Sequence, residues 1–205
     1  MREDRASLPL DAHLRDGGRY RRRRHACFIA TREPSHEPRG PPRAPAARGV
    51  QRAPRRDAPL VRADARRDRG ERRAFTRLLR ALSDACTALR PTTTRWFVEA
   101  HQFRIDTSGG IGRPTPEGAH RDGVDFVALL LVSRVGVKGG ETRVFEAHGA
   151  RGERFTLTEP WTMLLLDDAR VIHETTPIQP SAPDGRRDTL VVTLRAGAFL
   201  DEAPA

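Results

Sequence analysis

The chain has 205 residues, enough for one domain with a buried core, and a formal net charge of +10. The charge is lopsided: residues 1–90 hold 24 arginines, no lysine and 11 acids (+13), while residues 91–205 hold 12 arginines, one lysine and 16 acids (−3). The arginines of the first part are interleaved with Pro, Ala and Asp, with few aromatics and no binding motif, so nucleic acid is not an expected partner.

Two cysteines, Cys27 and Cys86, make no disulfide framework and no zinc-type spacing, and read as reduced thiols. The N-terminus leads into no secretory-type apolar segment, and the longest apolar run, Phe126 to Val132, is too short to span a bilayer. The expectation is a soluble, cytoplasmic protein with no membrane partner. Self-association is left open.

In chain order, residues 31–70 are rich in Arg, Pro, Ala and Asp and read as disordered or loosely extended. Over 71–90, Phe75, Leu78, Leu79, Leu82 and Leu89 recur at helical spacing, and Pro91 ends the run, which predicts one amphipathic helix. From Trp96 the pattern is β. Trp96–Val98 and Gln102–Ile105 predict one strand or a bent pair, Ser108-Gly109-Gly110 a turn, and Arg113 to Gly118 a loop. Ala119 to Ser133 predicts a long strand, with Phe126 to Leu131 buried on both faces. Lys138-Gly139-Gly140-Glu141 predicts a hairpin turn into Thr142–Phe145. Further strands are expected at Arg154–Leu157, Trp161–Leu166, Val171–Thr175 and Thr189–Leu194, with turns at Glu159-Pro160 and Ser181 to Gly185. The fold class is therefore mainly β, a jelly roll with one or more N-terminal helices. The expected division is an Arg/Pro-rich region over 1–90, partly disordered with its helix near 71–90, and a jelly-roll domain over 91–205.

His120-Arg121-Asp122, then His173, then Arg187 form the chemically suggestive set. Two imidazoles and one carboxylate can hold a single Fe(II) on one face and leave positions open for a cosubstrate and O2. An arginine on a nearby strand offers a planar fork for a carboxylate of that cosubstrate. On a strand, His120 and Asp122 would leave the same face. Read alone, the tripeptide fits equally well as an exposed strand start, with His173 a core histidine. Placement after a Pro/Gly loop and before the most apolar strand favours a metal at a barrel mouth. His13, His25 and His36 lie in the low-complexity region, His148 in a solvated hairpin, and His101 has no evident role.

Several stretches occur in order over about residues 96–195: His101 to Ile105, Pro116 to Phe126, Lys138 to Glu141, Leu166 to His173 and Arg187 to Thr193. Together they resemble the bacterial 2OG-Fe dioxygenase family typified by L-isoleucine 4-hydroxylase. Leu8 to Asp11 and Gly18 to Arg24 are similar to that family's N-terminal stretch. The resemblance implies a double-stranded β-helix and a non-haem iron dioxygenase that hydroxylates a free aliphatic L-amino acid, using Fe(II), 2-oxoglutarate and O2. His120, Asp122 and His173 would be the iron ligands. Arg187 would pair with the distal carboxylate of 2-oxoglutarate, and Thr189, two along, could add a hydroxyl hydrogen bond. Arg104, Glu117 and Arg121 are candidates for the amino-acid substrate. Asp167 and Asp168 would orient His173 or make a turn. Residues 31–70 do not share the resemblance, which keeps a second reading: a non-catalytic jelly roll with the metal site and a degraded substrate pocket.

Overall fold

The computed structural model describes residues 8–14, 16–31, 49–52 and 67–199, with side chains omitted for 49–52 and 67–69. In chain order the elements are β1 (Arg21–Thr31), β2 (Gly49–Arg52), α1 (Arg67–Leu89), β3 (Arg95–Asp106), β4 (Phe126–Val135), β5 (Val137–Gly139), β6 (Thr142–Glu146), β7 (Gly152–Phe155), β8 (Met163–Asp167), β9 (Val171–Thr175), β10 (Ile178–Pro180) and β11 (Arg186–Arg195). Six strands form one sheet in the order β2-β1-β3-β11-β4-β8, beside the smaller sheets β7-β6-β9 and β10-β5. This is the expected mainly β jelly roll. Among the described residues, no helix is long and apolar enough to cross a membrane.

Period-two alternation gives the large sheet two different faces. On one face Ala26, Ala30, Trp96, Val98, Ala100, Phe126, Ala128, Leu130, Leu190, Val192 and Leu194 make the main core, covered by Leu79, Leu82 and Cys86 of α1. Within α1, the Ser83 and Thr87 hydroxyls bond back to the carbonyls of Leu79 and Ser83, and Thr87 Oγ1 also accepts the Trp96 indole N–H at 2.9 Å. That bond fixes the helix across the sheet. Leu89, expected on the apolar stripe, is 56% exposed because the helix has run past the sheet by its last turn.

The opposite face carries the chemistry. β11 lies between β3 and β4, and its register with β3 places Arg187 opposite Ile105 and Thr189 opposite Phe103. Against β4 the register slips: Asp188 pairs with Ser133 but Thr189 with Leu131, so Val132 is an extra residue. A one-residue bulge exchanges the faces of everything beyond it. Arg134 thereby reaches the side of the sheet where Arg187 stands.

Three strand expectations are corrected. Ala119–Ser133 is not one strand: β4 begins at Phe126, and His120 makes only an isolated bridge to His173 while Asp122 is in a loop. The amides of 122–124 are taken by a side chain rather than by a neighbouring strand, as described below. Gly139-Gly140 is a turn with φ of 78° and 68°, yet it joins no hairpin. β5 pairs with β10, and β6 with β7 and β9, so the chain changes sheets there. Side chains are excluded on both counts: a Cβ on Gly139 would strike the Pro177 carbonyl oxygen, and one on Gly140 would lie 2.8 Å from Ile178 Cγ2. Trp161 is not in β8 but in the preceding turn, with φ 70°.

Composition also hid β1. Arg21–Thr31 pairs with β3 along eleven positions from Arg21↔Ile105 to Thr31↔Arg95, so the large sheet draws on residues either side of position 90. The loosely extended reading of 31–70 lies mostly outside the described residues; within it, Gly49–Arg52 pairs with β1. The helix expected over 71–90 is α1. Replacing Leu79, 1% exposed beneath the sheet, by Ala should lower the unfolding free energy by about 2–5 kcal/mol. Urea denaturation should show a lower midpoint at unchanged slope, and an unmoved midpoint would remove α1 from the main core.

Candidate metal centre

His120 and His173 are brought together by the backbone. Each amide donates to the other's carbonyl, at 3.0 Å and 2.9 Å, a closed antiparallel pair that sets the two rings 4.7 Å apart. Asp122 completes the group from the loop. His173 Nε2 lies 3.5 Å from Asp122 Oδ2 and His120 Nε2 lies 3.9 Å from Asp122 Oδ1. One donor atom from each residue falls within 4.8 Å of the other two. His120 Nδ1–H donates to the Gly118 carbonyl at 2.9 Å, which fixes the tautomer and aims the Nε2 lone pair at the centre of the group.

The loop is held by Asp168. Its side chain, in a fully buried residue, accepts from the amides of Asp122 (3.1 Å), Gly123 (2.9 Å) and Val124 (3.2 Å). Its amide donates to the Asp125 carbonyl, and its carbonyl accepts Arg121 Nε at 2.7 Å. The expectation that Asp167 and Asp168 orient His173 is therefore corrected. Asp167 pairs with Arg90 at 2.8 Å, and Asp168 positions Asp122 instead. His173 Nδ1 is buried with no hydrogen-bond partner among the described residues, so the backbone pair with His120 fixes this ring.

Electrostatics call for a cation here. Burial pushes the Asp122 carboxyl above its ordinary range, opposed by His120 and reinforced by Asp168. Burial, then His120, holds the His173 imidazole down to about 4, so at neutral pH it is an uncharged ligand. Two neutral imidazoles and a desolvated carboxylate on one side of a cavity fit Fe(II) with open positions.

That cavity, about 120 Å³, is lined by the triad and by Arg187, Thr189, Val191, Phe103, Val127 and Leu129 among others. Arg187 is 2% exposed, and its Nε and Nη2 have no partner among the described residues. Burial, with Arg134 nearby, lowers its guanidinium to about 10, which leaves it charged at neutral pH. Arg134 Nη2 binds the Gly139 carbonyl at 2.6 Å while its Nη1 is buried and unpartnered. Sequence reasoning missed Arg134, since only the bulge at Val132 turns it inward. It missed Arg21 as well, which reaches the cavity wall from the unforeseen β1. Of the three substrate candidates, Glu117 is in the wall, with Oε1 3.7 Å from His120 Nε2. Arg104 is instead paired in a fork with Asp188, at 2.8 Å and 2.9 Å, and Arg121 is bound to the Asp168 carbonyl. Neither Arg104 nor Arg121 lines that cavity.

Asp168→Asn should lower Fe(II) affinity about 10–100-fold, because an amide replaces a carboxylate that three N–H groups require. Metal titration of the folded variant reads this out, and wild-type affinity would show that the loop needs no such anchor.

A family model described as 2OG-Fe dioxygenase matches residues 2–193. No curated protein matches the chain. Among solved structures, the chain is similar to a bsmA homologue from Methylobium petroleophilum PM1, with 44% identity and a TM-score of 0.79 over 98% of this chain and 80% of that one. It also shares its fold with the Fe(II)/α-ketoglutarate-dependent dioxygenase TqaL (18% identity, TM-score 0.65, 98% of this chain and 74% of that one). A further fold match is IDO from Bacillus thuringiensis (16% identity, TM-score 0.61, 87% and 78%). The family match spans nearly the whole chain and includes the His-Asp-His group. The protein belongs to the 2OG-Fe dioxygenase family, whose enzymes work with Fe(II), 2-oxoglutarate and O2.

Proposed function

We propose that the chain hydroxylates a free aliphatic L-amino acid, with His120, Asp122 and His173 as iron ligands and Arg187 and Thr189 as the 2-oxoglutarate site. One observation carries this reading: a buried guanidinium with two vacant donor nitrogens stands in the wall of the cavity that holds the triad. A desolvated, unpaired cation costs several kcal/mol, and a carboxylate presented to its planar fork offsets that cost. Thr189 follows two residues later on the same strand face. Together, Fe(II), 2-oxoglutarate and O2 supply the oxidising chemistry that replaces an aliphatic C–H hydrogen by hydroxyl while releasing succinate and CO2.

The remaining wall suits a small substrate with an apolar body and charged ends. Phe103, Ile105, Val127, Leu129 and Val191 keep water from the carbon to be hydroxylated. Arg21 is held by Asp11 at 2.6 Å with its guanidinium carbon 5.4 Å from the Phe103 ring centre, where it can take a carboxylate. Glu117, half exposed at the rim, can take an ammonium. Arg104 and Arg121 act behind the wall, through Asp188 and Asp168.

Anaerobic addition of Fe(II) and 2-oxoglutarate to the purified chain should give a visible metal-to-ligand charge-transfer band. On adding O2, aliphatic L-amino acids should then stimulate succinate release. His173→Ala should abolish the band. Arg187→Ala should keep metal binding but raise the 2-oxoglutarate requirement about 30-fold or more, equivalent to 2 kcal/mol or more. A folded wild-type protein without the band would overturn the whole assignment. A band with no stimulation by any amino acid in the panel would overturn the substrate class and favour a site that binds without turning over.

A further inference from the structure

A second group of ligand-type side chains lies on the chemical face of the large sheet, further along β1 and β3. The register sets His25 opposite His101 and Cys27 opposite Glu99. Two-residue spacing on each strand puts all four side chains on one face, in a two-by-two block. His25 Nε2 is 3.1 Å from Glu99 Oε2 and 3.5 Å from Cys27 Sγ, and one donor atom from each of these three falls within 4.8 Å of the others. Around a tetrahedral zinc, with bonds of about 2.3 Å to sulfur and 2.0–2.1 Å to nitrogen or oxygen, neighbouring ligands stand about 3.3–3.6 Å apart. The observed separations are close to those edges.

His101 supports this group without joining it. Its ring stacks on His25 with centroids 4.6 Å apart and planes 12° from parallel. Arg23 Nη2 is 3.1 Å from His101 Nδ1, and an arginine can only donate, so the His101 proton is on Nε2, facing Glu99 Oε2 at 3.8 Å. Burial, then Arg23, holds His101 well below the ordinary histidine range, so it is neutral. A nucleophilic Cys-His-Glu triad would need the carboxylate at the imidazole nitrogen away from sulfur. Here Glu99 and Cys27 approach the same Nε2, and Cys27 is only 2% exposed. That convergence suits an ion rather than a proton relay.

We propose that His25, Cys27 and Glu99 form a second metal site, distinct from the iron site, for Zn2+ or a divalent ion of similar preference. A sulfur and an imidazole disfavour Mg2+ and Ca2+. Thiolate and carboxylate together neutralise a dication, so the surrounding arginines do not oppose it. A cavity of about 190 Å³ between Pro9–His13 and Arg23–His25 gives the ion a route in. Bound there, the ion ties β1 to β3.

Co2+ added to the metal-free full chain tests the site, because the iron site offers no sulfur. The wild-type protein should develop an intense near-ultraviolet thiolate-to-cobalt charge-transfer band. The band should persist in His173→Ala and Cys86→Ser and be lost in Cys27→Ser. Zn2+ at about a hundredfold excess over its Kd should raise the melting midpoint of His173→Ala by roughly 5–10 °C, a shift missing from the His173→Ala/Cys27→Ser double variant. A folded wild-type protein with no thiolate band at excess Co2+ would overturn the proposal, whatever the variants do, and so would a band that survives Cys27→Ser.

Discussion

The site depends on the buried carboxylate of Asp168. Three backbone amides, those of Asp122, Gly123 and Val124, converge on its two oxygens. Hydrogen bonds to a charged acceptor contribute about 1.5–3 kcal/mol each, and a buried carboxylate without them would be intolerable. The arrangement fixes a loop that has no strand partner of its own beyond the single bridge at His120. It thereby makes a metal ligand out of Asp122, whose position no sheet register dictates. The same residue ties this loop to the turn before β9, the strand that brings His173. Both ends of the ligand set are thus referred to one anion.

The sheet contributes a division of labour between its faces. One side is apolar and closed by α1, with Trp96 linked to Thr87. The other can hold polar groups because the core has already been supplied by the first. The bulge at Val132 shows how finely the exchange is made. Upstream of it, Val127 and Leu129 face the cavity; downstream, Arg134 does, beside Arg187. One inserted residue changes an apolar wall into a guanidinium pair, which is the chemistry a dicarboxylate cosubstrate calls for.

Much of this was legible in the residues. The buried run Phe126 to Leu131, the limits of β9, the helix with its Leu79 and Leu82, and the His120/Asp122/His173 set all follow from periodicity and donor chemistry. What stayed hidden did so for physical reasons. Arg21 to Arg24 look like a solvated charge run, yet their strand is paired along its whole length with β3, and its charges are taken up by Asp11 and by ring faces. The two-residue spacing of His120 and Asp122 suggested a strand, whereas their convergence comes from a side chain 46 residues beyond Asp122 capturing amides. His25 was set aside with the low-complexity region, and Cys27 lacked a zinc-type spacing. Both judgements read one segment at a time, while the cluster is made by pairing two segments 74 residues apart.

The arginine excess takes on a different meaning once these pairings are known. In the described part of the chain many guanidiniums act as rigid forks inside or beside the sheet. Arg104 grips Asp188, Arg90 reaches Asp167, Arg143 spans Glu141 and Glu174, and Arg187 waits in the cavity. Lysine could not replace them, because a single ammonium cannot hold a carboxylate in a plane or donate in two directions at once. Net charge summed over the sequence suggested a surface property. The local geometry assigns several of those charges to holding the walls of the cavity, and it leaves at Arg187 a fork whose partner must come from outside the protein.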